Sequence, residues 1–206
     1  MYYVSTRGNT PKMQFSDVLL MGLAPDGGLM LPEYYPNIDD KTLTKWRSLN
    51  YQELAFEIMQ LFATDIDKDD LKKLIDKTYT KDVFGSDDIT PVDKLYHDIY
   101  LLKLSNGPTL AFKDIAMQFL GNAFEYVLNQ KNQRLTIIGA TSGDTGSAAE
   151  YALKGKKNIE VFEVFPNIAS GKFNGYQNVS ITHKELREIV SKNERISARS
   201  NVQSRR

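Results

Sequence analysis

Beyond Gly85 the sequence alternates between short apolar runs and segments with helical periodicity. The apolar runs are residues 99–102, 135–138 and 159–165, and the helices predicted between them are residues 114–130 and 145–154. Strands that are apolar on both faces and separated by helices typically form a parallel sheet covered by helices on both faces. The pattern therefore predicts an α/β fold with a parallel sheet.

Composition and turn signals divide the 206 residues into three predicted regions. Residues 1–84 are expected to be mostly helical, and residues 85–166 carry the alternating pattern. Residues 167–206 contain eight Lys or Arg against three Asp or Glu and few apolar residues near the end. We interpret them as a divergent basic tail, solvated or not native to the fold. Contact of this basic tail with nucleic acid is the alternative.

Turn residues and helix caps give the first region its detail. A short strand, a helix from Phe15 to Gly22 and a hairpin or loop ending at Pro32 are predicted among many turn formers. Two further helices follow. One carries apolar residues at helical spacing, and the other is capped by Asp67 or Asp69. Their apolar positions are Leu54, Ile58, Leu61 and Phe62 in the first, and Leu71, Leu74 and Ile75 in the second.

Charge and cysteine content exclude several classes of function. Lys and Arg balance Asp and Glu at 26 each, so no net field attracts nucleic acid or an anionic membrane. The chain has no cysteine and two histidines, which argues against disulfides, thiolate zinc sites and Cys/His nucleophiles. We expect no metal site. Apolar runs stay far below the roughly 20 residues of a membrane span, so we expect a cytoplasmic protein without a membrane partner.

Two loops follow predicted strands and carry the residues of chemical interest. Residues 106–114 come after the strand at 99–102, and residues 139–146 come after the strand at 135–138. The carboxyl ends of parallel strands line a common crevice, where such folds bind ligands. We therefore expect Lys113 and the loop around Thr141 to face each other across this crevice.

Lys113 lies at the predicted amino end of a helix. The partial positive charge there repels an ammonium group by about 0.3 to 1 kcal/mol. The placement is understandable if the amine has to be neutral, as Schiff-base formation with a carbonyl cofactor requires. A lysine that points to solvent is the alternative when Lys113 is considered alone.

The second loop combines glycines and hydroxyl side chains at the amino end of a helix. Backbone N–H groups at such an end are unpaired and point at any anion that enters. Gly143 and Gly146 allow a close approach, and Thr141, Ser142 and Thr145 add hydroxyl donors. The loop matches neither a Walker motif nor the dinucleotide fingerprint. It predicts a carboxylate or phosphate site, with an ordinary capped turn as the alternative.

These segments together resemble the threonine synthases of the fold-type II pyridoxal-phosphate family. Residues 107–114, Gly-Pro-Thr-Leu-Ala-Phe-Lys-Asp, are similar to the segment that carries the cofactor lysine. Residues 140–149 are similar to the substrate loop of the family. Three shorter matches, at residues 5–8, 23–29 and 90–91, lie in the expected order. The resemblance covers about Met1 to Pro166.

The resemblance implies an activity and roles for individual residues. Threonine synthases convert O-phospho-L-homoserine and water to L-threonine and phosphate, so the cofactor would be pyridoxal phosphate and Lys113 would form its Schiff base and transfer protons. Phe112 would pack beneath the cofactor ring or into the core. Asp144 would lie near the 3′ oxygen of the cofactor, either protonated or turned back as a helix cap. The residues implied to hold the substrate carboxylate are Thr141, Ser142, Gly143, Thr145 and Gly146.

The resemblance also implies an incomplete fold, because family members continue well beyond this chain. We interpret the chain as a gene fragment, a frameshifted sequence or an inactive paralogue. Another pyridoxal-phosphate enzyme of this fold, such as a serine or threonine dehydratase, is one alternative function. A catalytically inactive remnant that binds a small anion or a partner through an exposed sheet edge is the other. Homo-oligomers are common in the wider fold, so we expect a possible homo-oligomer.

Overall fold

A computed structural model of the chain describes residues 1–141, 143–164 and 196–197. The chain forms two compact units, Met1–Ile115 and Ala116–Arg206. Every helix within the described residues is too short or too polar to cross a membrane.

The first unit begins with an antiparallel pair of short strands. Strand β1 (Tyr3–Ser5) pairs with β2 (Met30–Pro32), and helix α1 (Phe15–Met21) lies between them in the sequence. Both the strand and the helix predicted for this stretch are therefore confirmed. The helices that follow are α2 (Asp40–Trp46), α3 (Tyr51–Met59), α4 (Lys68–Thr78) and α5 (Lys81–Phe84).

Side-chain caps determine where α3 and α4 begin. Asn50 and Glu53 form a reciprocal capping box, in which each side chain accepts a hydrogen bond from the backbone N–H of the other at 2.9 Å. The Asp67 carboxylate accepts from the N–H of Asp69 at 2.9 Å. The predicted cap of α4 is thus Asp67, because its carboxylate satisfies an N–H that has no partner within the helix.

The apolar positions predicted for α4 are buried, whereas those predicted for α3 are only partly so. Leu71 and Ile75 are 1% and 0% exposed. Helix α3 ends at Met59, so the expectation that it continues through Phe62 is wrong. Ile58 is 41% exposed although its spacing predicted a buried position. Helical spacing alone therefore identified α4 better than α3.

The apolar run at residues 99–102 forms a hairpin and not a strand of a parallel sheet. Strand β3 (Val92–Tyr96) pairs antiparallel with β4 (Ile99–Leu102), and every residue of both strands is exposed. His97, in the tight turn between them, has a φ of 47°. The prediction of a buried strand at residues 99–102 in the parallel sheet is therefore wrong. A short apolar run does not distinguish a buried strand from a hairpin strand whose apolar faces are uncovered.

The second unit contains a small parallel sheet. Strand β5 (Leu135–Ala140) lies between β6 (Ile159–Val164) and β7 (Ile196–Ser197), and is parallel to both. Helix α6 (Asp114–Lys131) precedes β5 in the sequence, and α7 (Asp144–Leu153) connects β5 to β6. The alternation of strands and helices predicted for residues 114–164 is confirmed, because each of these elements lies within a few residues of its expected place.

Helices α6 and α7 bury small and apolar side chains. Ala123 and Phe124 of α6 are 0% and 2% exposed, and Ala148 of α7 is 0% exposed. Gly121 of α6 is buried beside Ala152 of α7, where an added Cβ would collide with the carbonyl oxygen of Ala152. The two backbones can therefore approach this closely because residue 121 has no side chain.

Most of the predicted basic tail lies outside the described residues. Within residues 167–206 the structure describes Ile196 and Ser197, which form β7. The last residue of the strand predicted at 159–165 also lies outside the described part. The nature of this tail stays a prediction.

Candidate functional site

Lys113 is the last residue before helix α6 and closes the loop that leads into it. Its side chain is half-buried, and the ammonium nitrogen lies 5.1 Å from the centroid of the Phe112 ring. This distance is within the range of a cation–π contact. Among the described residues no carboxylate forms an ion pair with Lys113. The Lys113 amine therefore has no negatively charged partner within the described part of the chain.

Phe112 does not pack into the core. Its side chain is 58% exposed, so the core alternative is wrong, and a position beneath a cofactor ring stays a prediction. Its ring remains available to a flat ligand that approaches Lys113 from solvent.

Asp114, the first residue of α6, is hydrogen-bonded to the lysine loop, which comprises residues 106–113. Its carboxylate accepts from the backbone N–H and from the hydroxyl of Thr109, both at 2.8 Å. The N–H of Asp114 donates to the carbonyl oxygen of Ala111 at 3.0 Å. Asp114 is 0% exposed, and sequence reasoning treated it only as a helix start. The sequence signal for this pairing was an Asp at a helix start, five residues after a Thr.

The glycine loop is closed by the hydroxyl of Thr141. This oxygen accepts from the N–H of Gly143 at 3.3 Å and from the N–H of Gly146 at 3.1 Å. An added Cβ at Gly146 would collide with the methyl group of Thr141, so glycine is required for this close contact. The expectation that the Gly143 and Gly146 amides are unpaired is therefore wrong. The Thr141 hydroxyl accepts hydrogen bonds from amides that could otherwise donate to a bound anion.

The two residues between these glycines, Asp144 and Thr145, have a different environment. Asp144 and Thr145 begin helix α7, and among the described residues neither backbone N–H has an acceptor. The Asp144 side chain is exposed and accepts no hydrogen bond from the described residues, so the expected helix cap is not formed. Ser142, also predicted to bind the substrate carboxylate, lies outside the described residues. The amides of Asp144 and Thr145 are thus the donors that this end of α7 offers.

A cavity of about 90 Å³ lies beside the glycine loop. Its walls come from α6, β5, α7 and β6, and are mainly apolar. Thr141, Thr145 and Gly146 connect the cavity with the loop. The residues that line it are Met117, Leu120, Phe124, Ile137, Gly139, Thr141, Thr145, Gly146, Ala149, Leu153 and Glu163. The predicted loop residues Thr141, Thr145 and Gly146 therefore border a partly open cavity.

Glu163 contributes a carboxylate to this apolar cavity. One of its oxygens is buried without a hydrogen-bond partner, and the side chain lies directly against Gly139. Burial, with a smaller contribution from Glu150, raises the pKa of Glu163 above its ordinary value of 4.5. Glu163 is not among the site residues predicted from the sequence. A glutamate inside the apolar strand at residues 159–165 was the signal for it.

Replacing Glu163 with glutamine is expected to make stability less dependent on pH. Because the folded-state pKa is raised, the stability gained from the neutral carboxyl is complete below about 4.5 and is lost as pH rises through the raised value. Glu163→Gln should therefore resist urea better than the unchanged chain at neutral pH and lose this advantage near pH 4. Glu160→Gln, on the exposed face of the same strand, is the control. Parallel urea midpoints for Glu163→Gln and the unchanged chain at all pH values would contradict this.

The predicted site residues fall in both units. Lys113 and Phe112 belong to the first unit, and the loop at residues 141–146 with its cavity belongs to the second. The expectation that Lys113 and this loop share one crevice stays a prediction.

Comparison with protein families connects the first unit to a known family. Residues 2–79 match the family described as threonine synthase N terminus. The threonine synthase of Methylobacillus glycogenes is 51% identical over 199 residues, which are 93% of this chain and 42% of the relative. That of Corynebacterium glutamicum is 49% identical over 187 residues, which are 88% of this chain and 38% of the relative.

Solved structures give the same result. A crystal structure of threonine synthase from yeast matches with a TM-score of 0.82 and 36% identity, over 98% of this chain and 46% of the yeast protein. The structure of pyridoxal-phosphate-bound threonine synthase from Brucella melitensis matches with a TM-score of 0.78 and 42% identity, over 83% and 37% of the two chains. The fold is therefore like that of a fold-type II pyridoxal-phosphate enzyme. The chain spans about two fifths of the length of its curated relatives.

Proposed function

The chain belongs to the threonine synthase family, and from this premise we propose that it supplies the cofactor lysine and the carboxylate-binding loop of a threonine synthase. The reaction is the conversion of O-phospho-L-homoserine and water to L-threonine and phosphate. We further propose that β5 and its neighbours belong to a parallel sheet covered by helices on both faces. We also propose that the chain is organised in three regions, at residues 1–84, 85–166 and 167–206.

The observation that supports the proposal most strongly is the environment of the Lys113 amine. Its amine has no carboxylate partner among the described residues and lies at the amino end of α6, where a positive charge is disfavoured. The exposed ring of Phe112 is 5.1 Å from the ammonium nitrogen and offers a surface for a flat cofactor. These features fit pyridoxal phosphate, which needs a lysine that can lose its proton.

When bound, pyridoxal phosphate supplies the electron sink for the carbanion that forms on the substrate. The chain's own residues do the rest. Lys113 would hold the cofactor through its Nζ atom and would move protons at the Cα and Cβ atoms of the substrate. Phe112 would provide a surface for the cofactor ring, and Asp144 would interact with the 3′ oxygen.

The substrate carboxylate is proposed to bind at the amino end of α7. The N–H groups of Asp144 and Thr145 have no acceptor among the described residues. Together with the partial positive charge of the helix end, they would attract an anion there. Thr141, Ser142, Thr145 and the glycines at 143 and 146 complete the site. The amides of Gly143 and Gly146 donate to the Thr141 hydroxyl, and the amide of Gly146 also donates to the carbonyl oxygen of Gly143. Both of these acceptors therefore have to move before the carboxylate can use the two amides. In the protein without substrate, the Thr141 hydroxyl would accept hydrogen bonds that the substrate carboxylate accepts when it is bound.

Chemical trapping of the cofactor tests the proposal. The chain is mixed with less than one equivalent of pyridoxal phosphate, reduced with borohydride and digested, and the labelled lysines are identified by mass spectrometry. We expect most of the label on Lys113, whose amine has no carboxylate partner among the described residues, whereas Lys103 of the same unit is held in an ion pair with Asp93 at 2.7 Å.

Lys113→Ala should lose the dominant label, and Lys103→Ala should keep it. A label spread evenly over the exposed lysines, and unchanged in Lys113→Ala, would rule out Lys113 as the cofactor residue.

A further inference from the structure

The loop that ends at Lys113 is held in a conformation that it would not adopt without support. Leu110 has a φ of 60°, which is unfavourable for a leucine, and its side chain is 73% exposed, so its own packing does not explain the conformation. Gly107 has a φ of 129°, which is accessible almost only to glycine. Two unusual backbone conformations within seven residues of Lys113 indicate that another group stabilises the loop.

Asp114 is that group. An added Cβ at Gly107 would lie 2.7 Å from both the Cβ and one carboxylate oxygen of Asp114, so the loop is folded directly over this side chain. The two carboxylate oxygens accept separately from the N–H and the hydroxyl of Thr109, each at 2.8 Å. The carboxylate thus joins the first part of the loop, at Gly107 and Thr109, to the first residue of α6.

The charge of Asp114 is satisfied without Lys113. The carboxylate is 0% exposed, and its compensation comes from Thr109 and from the partial positive charge at the start of α6. Among the described residues no cation forms an ion pair with it. Asp114 therefore leaves the neighbouring Lys113 amine without an ion pair.

We infer that Thr109 and Asp114 form a clasp that positions Lys113 for reaction with its cofactor. Both are positioning residues, since they act through the loop and do not need to touch the cofactor. The inference rests on the proposed function of Lys113 and adds to it the residues that hold the lysine loop in its reactive shape.

Conservative variants of the clasp test this. Thr109→Val keeps the shape and removes the hydroxyl, Thr109→Ser keeps the hydroxyl, and Asp114→Asn replaces one acceptor oxygen with a donor. The rate of borohydride-trapped labelling is measured at Lys113 and, in the same sample, at Lys103. Far-UV circular dichroism of each variant reports whether the helices are retained.

Thr109→Val and Asp114→Asn should label Lys113 about tenfold more slowly, because misplacing a reacting group by about an ångström has effects of this size or larger. Labelling of Lys103 should stay unchanged in both. Thr109→Ser should label Lys113 within about twofold of the unchanged chain, since it restores the hydroxyl that donates to Asp114. A general loss of structure would change both lysines, whereas loss of the clasp changes only Lys113.

The outcomes separate the inference from the function on which it rests. If Lys113 of the unchanged chain reacts no faster than Lys103, the proposed function itself is wrong. If Lys113 is preferred in the unchanged chain and equally preferred in Thr109→Val and Asp114→Asn, the function stands and the clasp is wrong. Slow labelling of Thr109→Ser, equal to that of Thr109→Val, would also overturn the clasp.

Discussion

Replacing Gly121 with alanine is expected to destabilise the second unit by about 2 kcal/mol or more, although alanine is the better helix former. Helix propensity alone would favour alanine by about 1 kcal/mol in the middle of α6. The added Cβ, however, collides with the carbonyl oxygen of Ala152 and lies 3.0 Å from its carbonyl carbon. These are backbone atoms, so a change of side-chain rotamer cannot relieve the contact. The helices would have to separate and lose their buried apolar contacts.

Urea unfolding followed by circular dichroism measures this effect. Gln130→Ala, at an exposed position of the same helix, is the control and should stay within about 0.5 kcal/mol of the unchanged chain. Adding Ala152→Gly to Gly121→Ala should not restore stability, because the colliding atom belongs to the backbone. An unchanged urea midpoint for Gly121→Ala would show that α6 and α7 are not packed this closely.

The second large effect is expected for Gly107→Ala, at about 2 to 4 kcal/mol, since two separate costs combine. A φ of 129° is strained for any residue with a Cβ. The added Cβ also lies 2.7 Å from Asp114, which is fully buried and held by two hydrogen bonds from Thr109. The loop can accept alanine only by breaking these contacts, so the trapping of cofactor at Lys113 should fall as well.

Gly85→Ala is the comparison for Gly107→Ala. Gly85 also has a positive φ, 70°, but an added Cβ there meets no atom within 4 Å. It should therefore cost about 1 kcal/mol, which is the backbone contribution at this φ. The additional loss in Gly107→Ala, measured by urea unfolding, comes from the collision with Asp114 together with the greater backbone strain at a φ of 129°. Equal losses for Gly107→Ala and Gly85→Ala would mean that Asp114 does not fill the space under Gly107.

Local signals predicted the parts of the fold that depend on local interactions. The cap at Asp67, the buried positions of α4 and the start of α6 at Asp114 all follow from residues within one helical turn. The strands at residues 135–140 and 159–164 were predicted because their apolar runs are flanked by helices with clear periodicity. The partners of a strand depend on distant residues, which explains why residues 99–102 were assigned to the wrong sheet.

The candidate site shows the same limit. Motif resemblance identified Lys113 and the loop at residues 141–146, but not the side chains that support them. The pairing of Thr141 with two loop amides depends on how the loop folds back on itself, which spacing does not show. Glu163 was missed because its burial is decided by contact with Gly139 on the neighbouring strand. Contacts between strands therefore have to be seen in the structure.

The β3–β4 hairpin has a consequence for the synthesis of the chain. Translation delivers this hairpin before α6, with Leu95, Tyr96, Tyr100 and Leu101 all more than 45% exposed. A two-stranded ribbon with uncovered apolar side chains is adhesive while the ribosome is still extending the polypeptide. Newly made chains would therefore be prone to associate through this hairpin, so a lower growth temperature and a slower expression rate should raise the soluble yield.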